Sequence, residues 1–268
     1  MQNIQGRRFV DNSNAKSSMR IQDLNLREEM TYYYKVETHL HTSESSACAR
    51  DGGMEMIRAC KRLGYSAAVV TDHFFNGNCA VKLGGKASWH ERVRRFALGY
   101  ENAKSEGDKI GIDVYFGFEY NYQGSGTEFL IYNFSLEDLA SYPEIMTDDF
   151  EKVAESVRRA GGLIIHTHPF RYEEYMQFPR RVFPPLTDAV ETVNSAHEHT
   201  PQFDAEANMY AEKFGLIKIG GSDAHWVNGI KSGVAFKKRP DSLADIINML
   251  RQGEHIILGE QQQYDLYI

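Results

Sequence analysis

Short apolar runs alternate along the chain with longer stretches whose apolar positions repeat at helical spacing. Residues 66–71 and 163–165 are apolar runs of the kind found in buried parallel strands. Residues 53–63 and 148–160 have the helical period, and a glycine follows each of them. Strand, loop and helix alternate in this way roughly six or seven times. The pattern therefore predicts parallel βα units and argues against a β-sandwich or a helix bundle.

The same pattern predicts the remaining elements. Further strands are expected at 32–37, 114–118, 127–134, 189–193, 216–219 and 255–258, and further helices at 89–105, 204–214 and 242–252. Residues 1–30 are polar with weak periodicity, and we interpret them as an N-terminal arm outside the core. No internal repeat or break in composition divides the rest of the sequence. Residues 31–268 are therefore expected to form one α/β domain with a TIM-like or distorted barrel.

Composition narrows the class of protein. The 268 residues include 42% apolar and 25% charged residues, which is ordinary for a soluble globular protein with a sizeable core. The net charge of −7 argues against general binding to nucleic acid or to an anionic membrane. The three cysteines form no Cys-x-x-Cys pair and no disulfide framework, and the sequence has neither a signal peptide nor an apolar run of membrane-spanning length. We expect a cytoplasmic protein, and the sequence leaves its oligomeric state open.

Residues that commonly bind metal ions lie at the ends of five predicted strands. They are His39 and His41, Asp72 and His73, Glu119, His166 and His168, and Asp223 and His225. Side chains at positions i and i+2 of a strand point the same way, and the carboxyl ends of parallel strands meet at one face of a barrel. Imidazoles together with carboxylates suit manganese, iron or zinc rather than calcium. The sequence therefore predicts a cluster of divalent ions at that face.

Five motifs also occur in the order found in one protein family. They are 37–42 (ETHLHT), 70–73 (VTDH), 117–119 (GFE), 168–171 (HPFR) and 221–225 (GSDAH). Through these motifs, residues 35–260 resemble the PHP (polymerase and histidinol phosphatase) superfamily. The resemblance implies a single-domain, TIM-like, distorted (β/α)7 barrel. It also implies two or three bound ions of manganese, iron or zinc, and the hydrolysis of phosphate esters.

The resemblance further implies which side chains are the ligands. His39, His41, Glu119 and Asp223 would hold or bridge one pair of ions, and His73, His168 and His225 would complete the remaining sites. The chain departs from the family pattern in two places. Some members have a His or Asp soon after the first motif, where this chain offers only Glu44 or Cys48, and a further His is missing between His90 and His166. Both a two-metal and a three-metal site therefore remain open.

Four other side chains are candidates for supporting roles. Asp72 is expected to accept a hydrogen bond from a ligand imidazole and so to orient it. Arg171 lies three residues after His168, and its planar guanidinium is expected to hold the oxygens of a phosphate group. For His166 and His197, a role at the site and a role in packing both remain open.

The function that these residues favour is a metal-dependent phosphoesterase, which would hydrolyse a small phosphomonoester through a metal-bound hydroxide. Histidinol phosphate, a nucleotide and the end of an oligonucleotide are all candidate substrates, and no stable nucleic-acid or membrane partner is expected. One alternative is a C–N hydrolase of the amidohydrolase type. Those enzymes usually bridge their metals with a carboxylated lysine, and no predicted strand of this chain ends in a suitable lysine. The other alternative is a barrel that binds metal without catalysis.

Overall fold

The computed structural model describes residues 34–82, 86–174 and 183–259, so the predicted arm at 1–30 lies outside the described residues. One sheet of nine strands runs through this part of the chain. The strands are β1 (Tyr34–Leu40), β2 (Ala67–Val70), β3 (Asp113–Asn121), β4 (Glu128–Tyr132), β5 (Leu163–His166), β6 (Ala189–Asn194), β7 (Ile217–Gly221), β8 (Gly233–Phe236) and β9 (His255–Leu258). The sequence pattern did not predict β8.

Seven α-helices lie in the same described residues. They are α1 (Gly53–Arg62), α2 (Trp89–Phe96), α3 (Leu98–Ile110), α4 (Leu136–Ala140), α5 (Phe150–Arg159), α6 (Gln202–Phe214) and α7 (Leu243–Arg251). The helix predicted over 89–105 is present but divided, because α2 ends at Phe96, α3 begins at Leu98, and Ala97 forms a turn between them. The turn there lets α3 lie close to the loop after β1, where a Cβ on Gly99 would come within 1.9 Å of Thr42 Oγ1. None of the helices that the structure describes has the length and apolar character needed to cross a membrane.

The sheet curls into a nearly closed barrel. Its strand order is β7-β6-β5-β4-β3-β2-β1-β8-β9, with parallel pairing from β1 to β3 and from β5 to β7. The ends of β1 and β7 then meet, because His41 N donates to Ala224 O at 2.9 Å and Ala224 N donates to His39 O at 3.1 Å. Strands β8 and β9 continue the sheet beyond β1 as antiparallel strands. The predicted TIM-like, distorted barrel is confirmed.

The main distortion is β4, which runs antiparallel to both of its neighbours, β3 and β5. Only a short turn joins it to β3, and Gly124 and Gly126 take positive φ angles in that turn. A connection this short can make a hairpin but cannot carry a crossover helix. Pairing with β4 also extends β3 to Asn121, so Glu119 lies inside the strand, where the sequence had placed it at the strand end.

Strand alternation decides which side chains face the inside of the barrel. On β2, Val69 packs in the same cluster as Leu130, Leu163 and helix α7, whereas its neighbours on the strand pack against α1. On β4, Leu130 belongs to this inner cluster and Phe129 belongs to the outer cluster beside α5. Because side chains alternate along a strand, Glu128 lies on the same face as Leu130 and points into the barrel.

The close approach of β8 to β1 predicts that substitution of Gly233 lowers stability. Its φ is +140°, and a Cβ there would lie 2.2 Å from the backbone oxygen of Val36. We expect Gly233→Ala to lower the free energy of unfolding by about 3 kcal/mol, through strain and overpacking together. Urea denaturation would measure it. The control is Gly64→Ala, which has a φ of +81° but nothing within 4 Å of its Cβ, and should cost about 1 kcal/mol. Equal losses in the two variants would contradict the close-contact explanation.

Candidate metal centre

All seven side chains predicted as metal ligands meet at the barrel end where β1 and β7 join. His39 and His41 flank Leu40, the last residue of β1, and Asp223 follows the end of β7. Ligand atoms come within 4.8 Å of one another in four overlapping groups: His41, His73 and His225; His39, His41 and Asp223; His39, Glu119 and His168; and His73, Glu119 and Glu128. All of these residues are buried except His225, which is partly exposed.

The carboxylate of Glu119 lies at the middle of the cluster and is fully buried. Its Oε1 is 3.3 Å from His39 Nε2 and 3.2 Å from His168 Nε2, whereas its Oε2 is 2.8 Å from His73 Nδ1. The two oxygens therefore face two different sets of imidazoles. This is the arrangement that a carboxylate needs if it is to be shared between two neighbouring ions.

The two carboxylate oxygens of Asp223 also face different partners. Oδ1 lies 3.5 Å from His39 Nε2 and 3.3 Å from His41 Nε2, and Oδ2 accepts a hydrogen bond of 2.6 Å from Arg171 Nη2. Asp223 and His168 both have positive φ angles, +52° and +31°. Residues other than glycine rarely adopt this conformation, and they do so mainly where a functional site constrains the backbone.

Several buried atoms fit a divalent cation. His73 Nδ1 and Glu119 Oε2 lie 2.8 Å apart, but neither makes a hydrogen bond within the part of the chain that the structure describes. His39 Nε2 and His41 Nε2 are 3.0 Å apart, a separation that requires either a proton or a cation between two lone pairs. Buried imidazoles and carboxylates are the donor set that manganese, iron and zinc prefer. The residues that are present therefore fit the metal ions that the sequence predicted.

The charges in the cluster stabilise one another. Burial lowers the pKa of His39, but the carboxylates of Asp223, Glu191 and Glu119 outweigh burial and raise it. Burial raises the pKa of Glu119, but His39 and His73 outweigh it and lower the pKa well below its ordinary value. The pKa of Asp223 is lowered in the same way, because Arg171 and His39 outweigh burial. Both carboxylates are thus held in the anionic form that binds metal.

Another buried carboxylate, Glu191 on β6, orients two of the candidate ligands through hydrogen bonds. His39 Nδ1 lies 3.0 Å from Glu191 Oε1, so a proton on Nδ1 leaves Nε2 free to bind a metal ion. Glu191 Oε2 accepts from the backbone N of His168 at 3.1 Å and from Asn194 Nδ2 at 2.8 Å. One buried carboxylate therefore positions one ligand on β1 and another in the loop after β5.

The prediction for Asp72 needs a correction. Its carboxylate makes no hydrogen bond to an imidazole of the described residues, because three donors of the loop after β1 occupy it: Thr42 N at 2.6 Å, Thr42 Oγ1 at 2.7 Å and Ser46 Oγ at 2.6 Å. Ser46 Oγ in turn lies 3.2 Å from His41 Nδ1. Asp72 therefore reaches a ligand imidazole only through a serine hydroxyl. Burial raises the pKa of Asp72 to about 6, although these hydrogen bonds oppose the rise.

Sequence reasoning missed Glu128. Its carboxylate lies 3.8 Å from His73 Nδ1 and 3.7 Å from His168 Nε2, and accepts from Asn121 Nδ2 at 3.0 Å. Burial and the nearby charge of Glu119 raise its pKa to about 8. Glu128 occurs between the glutamate motif and the third motif, where the resemblance leads one to expect a histidine. The signal that could have found it is the two-residue period of β4.

The sequence left open whether four residues, Glu44, Cys48, His166 and His197, join the site, and the structure divides them into two that lie beside the cluster and two that do not. Glu44 caps the start of α1 by accepting from Gly53 N at 3.0 Å, and His166 stacks on Phe129 with ring centroids 4.7 Å apart. Cys48 contacts the imidazoles of His73 and His225, and these outweigh burial to lower the pKa of its thiol to about 6. His197 accepts a hydrogen bond of 3.0 Å from Arg171 Nε. Cys48 and His197 thus lie beside the cluster, and Glu44 and His166 lie apart from it.

The cluster predicts a measurable metal content. Protein purified without chelator and without a nickel column should contain about two or three equivalents of manganese, iron or zinc. Asp223→Asn should contain clearly less, because the variant loses a charge and a ligand oxygen that faces His39 and His41. Inductively coupled plasma mass spectrometry would measure both, with exposed Asp241→Asn as the matched control. The same content in all three proteins would contradict the assignment of Asp223.

Glu128 predicts that metal binding releases a proton. In the metal-free protein at pH 7, a pKa of about 8 keeps the Glu128 carboxyl mostly protonated, and a metal ligand must lose that proton. Glu128→Gln should therefore release roughly one proton fewer per protein than the wild type on loading with manganese. Calorimetric titration in two buffers with different ionisation enthalpies measures this release. Exposed Glu155→Gln should match the wild type. Equal release from the Glu128 variant would show that Glu128 does not bind the metal.

Comparison with known proteins shows the same fold and one partial family match. The family model PHP_C, described as PHP-associated, matches residues 203–255. No curated protein matches the sequence. A solved two-domain protein from Bacteroides vulgatus, which contains a predicted PHP-like metal-dependent phosphoesterase, superimposes with a TM-score of 0.63 at 15% identity and covers 84% of the chain. The chain spans 64% of that longer protein.

Two other solved structures share the fold. PsfC from Pseudomonas syringae has a TM-score of 0.58 at 18% identity, over 87% of this chain and 93% of PsfC. An amidohydrolase from Chromobacterium violaceum, solved with bound sulfate and no metal, has a TM-score of 0.52 at 14% identity, over 83% of this chain and 97% of that one. Identities this low establish the fold and not the activity. The PHP-associated model matches the C-terminal part of the chain, and the chain shares its barrel fold with a protein that contains a predicted PHP-like phosphoesterase.

Proposed function

We propose that this protein is a metal-dependent phosphoesterase that hydrolyses a small phosphomonoester. The observation that carries the proposal is the meeting of eight imidazole and carboxylate side chains with one arginine at the barrel end where β1 and β7 join. The fold and the family support a hydrolase of this kind, and the arginine supports a phosphorylated substrate.

The residues that would hold the ions are those of the four ligand groups. Divalent ions bound there would neutralise charge on the phosphoryl oxygens and make water ionise near neutral pH. Glu119 would link two neighbouring ions, since its oxygens face His39 and His168 on one side and His73 on the other. Glu128 and Asp223 would add negative charge at the two sides of this bridge.

Arg171 supplies the group that distinguishes a phosphate site from a simple metal site. Burial lowers the pKa of Arg171, but the carboxylates of Asp223, Glu191 and Glu119 outweigh it and raise the pKa, so the guanidinium stays cationic. Its side chain keeps 16% of its surface exposed, which leaves it accessible to a ligand. A planar guanidinium matches the oxygens of a phosphoryl group in distance and angle. We therefore assign Arg171 to binding and orienting the phosphoryl group.

An exposed aromatic side chain at the rim of the site indicates which substrates should be tested. Trp226 directly follows His225 and is 42% exposed, and the guanidinium of Arg50 lies 5.3 Å from the centroid of its ring. An exposed indole at the mouth of a phosphate site supports a substrate with a flat ring, because such rings stack on aromatic side chains. Nucleoside monophosphates and histidinol phosphate both meet this condition, and they should be tested beside a simple alkyl phosphate.

The position of Glu119 argues against the C–N hydrolase. Amidohydrolases usually place a carboxylated lysine between their two metals, and here a glutamate carboxylate lies between the two sets of imidazoles. The Chromobacterium structure shares the fold with this chain at 14% identity, which does not favour C–N hydrolysis over phosphate-ester hydrolysis. The non-catalytic barrel is the remaining alternative, and an activity assay decides it.

The proposal predicts activity on p-nitrophenyl phosphate that depends on manganese, iron or zinc and that disappears on chelation. Arg171→Lys should lower kcat/KM about tenfold to a hundredfold, because an ammonium cannot donate the two parallel hydrogen bonds that a guanidinium makes to a phosphoryl group. Exposed Arg94→Lys is the matched control and should leave kcat/KM unchanged. Cleavage of p-nitroacetanilide but not of phosphate esters would support the C–N hydrolase. No cleavage of either substrate by fully metal-loaded protein would support the non-catalytic barrel.

A further inference from the structure

Arg171 is anchored along one edge of its guanidinium. Nη2 donates to Asp223 Oδ2 at 2.6 Å, and Nε donates to His197 Nε2 at 3.0 Å. Nε and Nη2 lie on the same side of the planar group. Both anchors therefore hold one edge, and among the described residues no hydrogen bond takes up the donors of Nη1 on the other side, where a ligand could bind.

The hydrogen bond from Arg171 determines the state of His197. An arginine in a protein always donates, so Nε2 of His197 must accept and cannot carry a proton. The proton of the neutral imidazole then lies on Nδ1, which donates to Asp204 Oδ1 at 2.6 Å. Asp204 thus selects the tautomer that Arg171 needs, as a carboxylate does for other oriented histidines.

The surroundings hold this imidazole firmly in place. His197 is buried, with 4% of its surface exposed, in the short turn after β6. Asn194 fixes that turn through a hydrogen bond of 2.9 Å from Ala196 N to its side-chain oxygen. The second oxygen of Asp204 accepts from Asn194 N at 3.2 Å, and the ring of Phe203 meets the imidazole edge-on at 5.3 Å. A connected line of contacts therefore runs from α6 through His197 to Arg171 and Asp223.

We propose that His197 and Asp204 are positioning residues that hold Arg171 ready to bind the phosphoryl group of the substrate. Neither residue belongs to a group of metal ligands, and both act only through the arginine. An arginine side chain has several rotatable bonds, and holding it in advance removes the entropy cost that ordering it would add when phosphate binds. The inference rests on the proposed function, because it needs a substrate with a phosphoryl group.

A double-mutant cycle tests the inference through the binding of inorganic phosphate to manganese-loaded protein. The variants are His197→Ala, Arg171→Ala and the double variant, with exposed His199→Ala as the matched control. Phosphate affinity comes from isothermal titration calorimetry, and metal content is measured in every sample. His197→Ala should bind phosphate about tenfold more weakly or worse, the scale of one charge-assisted hydrogen bond. In the Arg171→Ala background the same change should have no further effect, because the partner through which His197 acts is missing.

Two further variants separate positioning from general damage. His197→Gln restores an acceptor oxygen for Arg171 Nε and should recover much of the affinity, and Asp204→Ala should weaken phosphate binding in the same direction as His197→Ala. The proposal is overturned if the effects of His197 and Arg171 add, if His197→Ala loses metal, or if wild-type protein does not bind phosphate. Failure of the proposed function looks different: phosphate binding follows the predicted pattern, but no phosphomonoester is hydrolysed.

Discussion

The seam between the ends of β1 and β7 is the constraint on which the rest of the site depends. Buried Glu37 ties it together by accepting from His39 N at 2.9 Å and from Ser222 N at 3.1 Å. Glycine is required at 221, where a Cβ would lie 2.8 Å from His39 Cβ. Because this seam closes the barrel, His39 and Asp223 come from opposite ends of the sequence and still face each other across a few ångström. Without this pairing of the ends of β1 and β7, His39 and Asp223 would not lie at one site.

The cluster places imidazoles and carboxylates side by side in a buried environment. The ring of His41 stacks on those of His225 and His73, with centroids 4.2 Å and 4.4 Å away. Burial and the charges of those two neighbours lower the pKa of His41 well below its ordinary value, so it keeps a free lone pair. The lone pair of His41 and the anionic carboxylates of Glu119 and Asp223 form an environment that a buried cation stabilises strongly. The electrostatics and the geometry of the cluster therefore favour the same occupant.

The sequence predicted those parts of the site that depend on local order. His39 and His41 could be recognised because two residues on one strand share a face, and the strand order then brought them to the barrel end. The two-residue period of β4 gives the face on which Glu128 lies, but the apolar pattern does not reveal that β4 is antiparallel, which is what brings its first residue to the barrel end where the other ligands lie. Glu191 stands out in the sequence as an acidic residue inside an apolar strand, but only the register of the sheet shows that it lies beside His39. The role assigned to Asp72 was wrong for a similar reason: a serine hydroxyl from the neighbouring loop lies between it and the imidazole.

Glu191 shows why such supporting residues matter as much as the ligands. Its Oε1 holds the ring of His39, and its Oε2 holds the backbone of His168, whose positive φ costs on the order of 1 kcal/mol or more. The hydrogen bond to His168 N helps to maintain that strained conformation, so the carboxylate stabilises what the local sequence disfavours. Ligands from β1 and from the loop after β5 are thereby fixed relative to each other. The same loop continues to Arg171, which donates to Asp223, so one connected group of buried side chains sets the positions of the candidate metal ligands and of this arginine.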